Sequence, residues 1–349
     1  MMATIAGPGK GRVSQSAQKA RGYAGLSCGR RRPVVSDATI PVVDLRDYHA
    51  GGEARARFID TVGAALAEVG FFAAEGHGVD STLVESAYAA AKEFFSLPAE
   101  TKQRYTAKVG GQRGYTGFGQ EHAKDSAAPD LKEFYQIGRV DVGADHPVHA
   151  EYGPNVWPEE VPEFAKVLTE YYKQVDALGG IFLEACAHYV GGEANLFRDM
   201  AREGDTIVRV IYYPPVADGA TAGSVRAAAH EDINLITLLP GATAEGLEIL
   251  TRENEWLPIR AGHDHFIVDS GDMMQNVSNG LFRATTHRVV NPKDTTSDRF
   301  SMPCFIHPSA DADLSPTPLC VERTGGEKRF EEMSAGDYLK KRLAEIGLT

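Results

Sequence analysis

His230-Glu231-Asp232-Ile233-Asn234-Leu235-Ile236-Thr237-Leu238-Leu239 is the stretch that decides the fold. It joins an H-x-D pair to the entrance of an apolar, strand-like run. In extended chain, residues two apart point to the same side, so His230 and Asp232 can reach one metal while Glu231 points away. A third donor, His287, follows Asp232 by 55 residues, enough chain for a distant strand to fold back alongside. Two imidazoles and one carboxylate can occupy one face of Fe(II) and leave the opposite face open. Twelve residues after His287 comes Arg299-Phe300-Ser301. Strand alternation puts Arg299 and Ser301 on one face, where a guanidinium and a hydroxyl suit a carboxylate.

The surrounding pattern is a series of short Val-, Ile-, Thr- and Phe-rich runs separated by Pro, Gly, Asn and Asp. They are Ile207–Tyr213, Leu235–Leu239, Gly246–Thr251, Trp256–Ile259, Phe266–Asp269, Thr285–Val290 and Phe300–His307. Many short strands at this spacing predict a sandwich or jelly-roll barrel. Before residue 205 the periodicity is mostly helical. Phe58, Val62, Leu66 and Val69 predict a helix ending at Gly70, and a second covers Leu83 to Phe95, stopping before Pro98. A long helix is expected over 162–190, with Phe164, Leu168, Tyr171, Val175, Leu178, Phe182 and Cys186 on one face. Thr39–Leu45 and Phe71–Ala74 read as strands, and Ser334–Ile346 returns to helix. Gly110–Gly119 reads as a mobile glycine-rich loop.

Length and composition are those of a globular protein: 349 residues, 43% hydrophobic and 24% charged. The four scattered cysteines support neither a disulfide framework nor a zinc ribbon, and suit a reducing compartment. Charge is uneven. Residues 1–36 carry seven Lys or Arg and no acid; taking that +7 from the overall −12 leaves −19 for the remainder. An acidic body argues against nucleic acid as a partner, because binding phosphates requires a basic surface. The basic leader has two readings, a disordered extension and a transit peptide for mitochondrion or plastid. The expected location is therefore the cytoplasm, or one of those organelles if the leader is a targeting signal. No apolar run approaches the ~20 residues of a membrane helix.

With these residues in place, the chain resembles the isopenicillin N synthase-like family of Fe(II)/2-oxoglutarate-dependent oxygenases over roughly residues 39–310. The C-terminal matches are His230-Glu231-Asp232, Leu235–Leu239, Gly246-Leu247-Glu248-Ile249, Gly271–Gln275, Ser278-Asn279-Gly280, Thr286–Val289 and Arg299-Phe300-Ser301. The N-terminal matches are Ile40–Asp44, Gly70-Phe71-Phe72, His77-Gly78-Val79, Phe94–Pro98 and Asp130–Glu133.

The resemblance implies a mixed α and β fold: a double-stranded β-helix, or jelly roll, with a helical N-terminal region and a C-terminal helix. The expected division is a leader over 1–37, an N-terminal region over 38–204, the catalytic jelly roll over 205–310 and an extension over 311–349. By the same resemblance His230, Asp232 and His287 are the iron ligands. Arg299 and Ser301 anchor the distal carboxylate of 2-oxoglutarate, and Tyr213 lies beside that cosubstrate. Ile211 departs from the family, many of whose members carry Asn two residues before this tyrosine. Gly76 departs too, where Asn often precedes His-Gly-Val.

The implied activity is oxidation of a small molecule with O2, Fe(II) and 2-oxoglutarate, giving succinate and CO2, with ascorbate as a possible stimulant. Hydroxylation is the first expectation; desaturation and ring closure use the same machinery. The alternatives are an oxidase that uses no 2-oxoglutarate, of the isopenicillin N synthase or aminocyclopropane carboxylate oxidase type, and a non-catalytic binding or sensing protein. A monomer is expected. Other candidates have plainer readings. His263-Asp264-His265 reads as a solvated turn rather than a second metal site, and His77 as a turn residue. Tyr115, Phe118 and Gln120 are candidate pocket-mouth residues or surface loop. Asp272 and Asn276 are expected to organise the turn before the distal histidine.

Overall fold

The computed structural model describes residues 40–345 apart from 108–111, 121–129, 144, 216–224, 261, 263, 292–293 and 295. The basic leader, and with it the targeting reading, lies outside the described residues. The strands are β1 (Val42–Asp44), β2 (Phe71–Glu75), β3 (Gly114–Thr116), β4 (Glu133–Ile137), β5 (Ile207–Tyr213), β6 (Ala227–His230) and β7 (Ile236–Pro240). They continue with β8 (Leu247–Leu250), β9 (Trp256–Pro258), β10 (Phe266–Ser270), β11 (His287–Val289), β12 (Arg299–Ser301) and β13 (Cys304–Ile306). The helices before the barrel are α1 (Leu45–Ala50), α2 (Gly52–Glu68), α3 (Ser81–Phe95), α4 (Ala99–Gln103), α5 (Pro147–Tyr152), α6 (Pro162–Val190) and α7 (Arg198–Ala201). Within and after it come α8 (Asp272–Val277), α9 (Pro318–Arg323) and α10 (Ala335–Glu345).

Two sheets form the jelly roll. The larger runs β1-β2-β10-β7-β13-β5-β4-β3, with β12 also paired to β5; the smaller runs β6-β11-β8-β9. Strand alternation divides the larger sheet into an inner and an outer face. On β2, Phe71 and Ala73 pack inward against Leu247 and Ile249 of the smaller sheet, whereas Phe72 and Ala74 face the helical core. On β5, Val208 and Val210 face the helices, while Ile211 and Tyr213 pack inward with Phe134 of β4. β1 to β4, all from the chain before residue 204, are thus built into the barrel wall. The described residues belong to one compact unit.

The predicted run Phe300–His307 is two strands, because Pro303 has no N–H for a ladder. Its carbonyl instead accepts from Arg209 N–H at 2.9 Å. The glycine-rich stretch also differs from expectation: Gly114–Thr116 pairs with β4 as an ordered edge strand. Gly114 adopts φ +69°, and a Cβ there would meet the Tyr105 carbonyl oxygen at 2.2 Å, so the strand needs glycine where the chain turns in beside α4. Gly191, at φ 85°, ends α6 as a left-handed cap.

Helix α6 is the spine of the outer layer. Its row Phe164, Leu168, Tyr171, Val175, Leu178 and Phe182 is buried against the larger sheet and α3. At the centre of that layer Phe94 touches five rings: Phe95, Tyr105, Tyr115, Tyr135 and Phe164, with centroids 4.9–6.2 Å apart. It is fully buried. Truncation would lose both transfer free energy and ring packing, so Phe94→Ala is expected to destabilise the fold by about 3–5 kcal/mol. Urea unfolding checks this, and a loss below ~1 kcal/mol would show that the layer can collapse around the cavity. Among the described residues no helix is long and apolar enough to cross a membrane.

Candidate functional site

The end of β6 and the strand β11 bring the two histidines together. His287 pairs directly with His230 across the smaller sheet, and their rings lie 4.4 Å apart. Asp232 follows β6 by two residues and turns its Oδ1 toward both, 3.7 Å from His230 Nε2 and 3.6 Å from His287 Nε2. Among the described residues this is the one group of three such side chains whose ligand atoms converge, all lying within 4.8 Å of one another.

The surroundings select which atoms face inward. His230 Nδ1 donates to the Ala228 carbonyl at 2.7 Å and His287 Nδ1 to the Thr285 carbonyl at 3.1 Å. Each ring therefore carries its proton on Nδ1 and presents a bare Nε2, the form that binds a metal. Burial, with the His287 ring next to it, lowers the His230 pKa and keeps that ring neutral. Asp232 Oδ2 accepts a short hydrogen bond from Thr237 Oγ1, which in turn accepts from Asn234 Nδ2 at 2.8 Å. One carboxylate oxygen is thus tied down and the other left for the convergence point. Phe71 meets the His287 ring edge-on at 5.5 Å and fixes its plane. Two imidazole nitrogens and one carboxylate oxygen on a single side are a donor set for Fe(II) with room opposite for further ligands.

A second constellation lies on the inner face of the larger sheet. β12 pairs with β5 so that Arg299 is opposite Tyr213 and Ser301 opposite Ile211. Arg299 is 2% exposed; its Cζ sits 4.9 Å from the centre of the Tyr213 ring, and its Nε donates to the Ala244 carbonyl at 3.1 Å. Its Nη1 is buried with no hydrogen-bond partner. A buried guanidinium nitrogen without an acceptor is costly, and a carboxylate ligand would satisfy it. Ile211, the departure from the family pattern, packs between Phe134 and Tyr213 and gives this wall an apolar side chain.

Several residues to which the sequence assigned no role contribute to the site. Asp130 accepts from Ala228 N–H at 3.1 Å and pairs with Lys132 at 2.9 Å, so the Asp130–Glu133 motif steadies the strand that ends in His230. Burial, and then the Asp232 charge, push Asp269 on β10 well above the usual carboxylate range. Arg226, just ahead of β6, is fully buried beside Tyr213.

Other candidates are resolved differently. Tyr115 turns into the protein, donating to Glu133, which also binds Lys102 Nζ at 2.7 Å. Phe118 stays exposed. His265 contacts Asp264 at 3.0 Å, while His263 lies outside the described residues. His77 holds its turn by accepting from Val79 N–H at 3.1 Å. Asp272 and Asn276 tie down the C-terminal extension. Asp272 pairs with Arg342 of α10 at 2.9 Å, and Asn276 donates to the Leu314 and Glu331 carbonyls.

Comparison with known proteins agrees with this geometry. Residues 40–160 match the family model of the non-haem dioxygenase in morphine synthesis N-terminal domain, and residues 204–308 that of the 2OG-Fe(II) oxygenase superfamily. The 2-oxoglutarate-dependent dioxygenase caaD of Aspergillus niger is 32% identical, covering 88% of this chain and 94% of that protein. The proline hydroxylase buaE of Petromyces alliaceus is 29% identical, covering 82% and 93%. A Caulobacter crescentus crystal structure assigned to the 2OG-Fe(II) oxygenase family superposes with a TM-score of 0.80 at 37% identity, covering 88% of this chain and all of that one. The double-stranded β-helix, the convergent His-Asp-His set and these matches lead to one conclusion: the chain belongs to the isopenicillin N synthase-like branch of the 2OG-Fe(II) oxygenase superfamily and is a 2-oxoglutarate-dependent dioxygenase that oxidises a small molecule.

Proposed function

We propose that His230, Asp232 and His287 hold the Fe(II), that Arg299 and Ser301 bind the distal carboxylate of 2-oxoglutarate with Tyr213 beside it, and that the reaction is a hydroxylation. The observation that carries this reading is the pairing of two features in one barrel: three convergent ligand atoms, and a buried Arg299 whose Nη1 has no acceptor. Bound together, Fe(II) and 2-oxoglutarate supply the activation of O2, the cosubstrate leaving as succinate and CO2. The chain's own share is positioning. The carbonyls of Ala228 and Thr285 keep the Nδ1 protons away from the metal side, and Thr237 holds Asp232 in one orientation. Phe71, Ile211 and Phe134 provide apolar walls that exclude water. The proline hydroxylase among the relatives supports hydroxylation over desaturation or ring closure. The protein acts in a reducing compartment, a reading supported by the buried free thiols Cys186, Cys304 and Cys320.

Two measurements test the proposal. Adding 2-oxoglutarate to the Fe(II) protein under argon is expected to produce a metal-to-ligand charge-transfer band, and Arg299→Met to weaken that binding by at least about tenfold, ~1.4 kcal/mol. Absence of the band, or an unchanged affinity in the variant, defeats the assignment. Metabolites that stimulate succinate release are then expected to gain one oxygen atom derived from 18O2. A product that loses two hydrogens instead would make the enzyme a desaturase or cyclase.

A further inference from the structure

Among the described residues Arg226 is the most heavily buried charge of the barrel without an ion-pair partner. It is 0% exposed, and its Nη2 donates to the Ser297 carbonyl at 2.6 Å. Its Nε and Nη1 have no partner, and no carboxylate among the described residues is ion-paired with it. Its position explains where those donors go. Arg226 precedes His230 by four residues and enters β6 just ahead of Ala227, and its placement beside Tyr213 is read from the ring contact itself. Ser297, which it grips, is two residues ahead of Arg299. Both guanidiniums approach the same ring, with Arg226 Cζ 5.9 Å and Arg299 Cζ 4.9 Å from the centre of Tyr213. Each has Nη1 free. The two cations come from different parts of the barrel, Arg226 from the chain just ahead of β6 in the smaller sheet and Arg299 from β12 of the larger one.

We infer that Arg226 is a second arginine of the 2-oxoglutarate site and shares with Arg299 the distal carboxylate of the cosubstrate. This rests on the reading that Arg299 binds that group. A carboxylate has about four acceptor positions on two oxygens, so it can accept from two guanidiniums and still from the Ser301 hydroxyl. Without it, two buried cations face one ring. Burial and then the Arg299 charge lower the Arg226 pKa, outweighing the opposing pull of Tyr213 and Asp298, and an anion between the two arginines relieves that penalty. The location favours cosubstrate over substrate. Arg226 is fastened to the chain entering β12, at the Tyr213 end of the pocket, whereas the molecule to be oxidised must reach the iron.

The test separates the distal carboxylate from everything else in the pocket. The Fe(II) protein is titrated under argon with 2-oxoglutarate and with 2-oxovalerate, which has the same keto-acid end but no distal carboxylate. Arg226→Met is expected to raise the Kd for 2-oxoglutarate about tenfold or more, and to leave that for 2-oxovalerate within about twofold. Arg226→Lys, which keeps the charge, is expected to fall between wild type and Met and serves if the Met variant does not fold. Equal weakening of both ligands, or of neither, overturns the inference. So does an unchanged 2-oxoglutarate Kd with a raised KM for the oxidised substrate, which would assign Arg226 to that substrate. If Arg299→Met also leaves 2-oxoglutarate binding intact, it is the underlying assignment of the pocket that has failed.

Discussion

His287→Ala is expected to abolish Fe(II) binding at micromolar metal and to lower turnover by at least about a thousandfold, ~4 kcal/mol of transition-state stabilisation. The geometry argues for so large an effect. His287 Nε2 and His230 Nε2 stand at nearly equal distances, 3.6 and 3.7 Å, from the same Asp232 oxygen. Removing one leaves two donors that cannot enclose a face of the ion. Asp232→Asn is expected to be as severe. It keeps the shape but deletes the charge that offsets Fe(II), and its amide could turn an N–H₂ toward the metal. Glu231→Ala is the control. Glu231 points away from the site and accepts from Thr286 Oγ1 at 2.7 Å, so its loss should leave metal affinity within about threefold. Anaerobic Fe(II) titration reads all three. A His287→Ala protein that binds iron as the wild type does would remove His287 from the ligand set.

Most of what positions this site was legible in the sequence, for identifiable reasons. Apolar periodicity announced α6 because one face of that helix is buried along its whole length. The runs from Ile207 onward announced their strands because β-branched residues alternate there between glycine and proline stops. β6 was silent. Ala227-Ala228-Ala229-His230 has neither β-branching nor alternation, and it is a strand because β11 pairs with it and Asp130 holds Ala228 N–H. β4 was silent for the opposite reason: Glu133–Ile137 is buried at all five positions, so no polar alternation marks it. Its glutamate is tolerated inside because Lys102 and Tyr115 meet it there. Arg226 gave no pattern at all. A single arginine four residues before a histidine acquires meaning only when Tyr213, 13 positions earlier, is found beneath it.

Gly271→Ala is expected to be among the most damaging single-methyl changes, although it touches no proposed ligand side chain. Gly271 has an ordinary extended backbone, φ −85° and ψ 178°, so the requirement for glycine is not conformational. It is space. A Cβ there would lie 2.3 Å from Asn234 Oδ1, 2.4 Å from the Asn234 carbonyl and 2.7 Å from the Asp232 carbonyl. Two of those three atoms are backbone and cannot swing aside. The same loop is fastened to α8 by Asp272 N–H to the Asp232 carbonyl at 2.9 Å and by Gly271 N–H to the Leu235 carbonyl at 3.0 Å. A methyl group therefore forces the loop and the start of α8 apart, and Asp232 moves with the loop. Overpacking of this kind typically costs about 1–3 kcal/mol of stability. The effect on the site should be larger, since a ligand displaced by ~1 Å can cost about a hundredfold in activity. The expected result is a folded protein with a lowered unfolding midpoint, Fe(II) affinity reduced at least about tenfold and turnover reduced about a hundredfold. Asn234→Ala in the Gly271→Ala background relieves only the 2.3 Å side-chain clash and should recover little. Full recovery in that double variant would mean the side chain, not the loop backbone, is what the glycine makes room for.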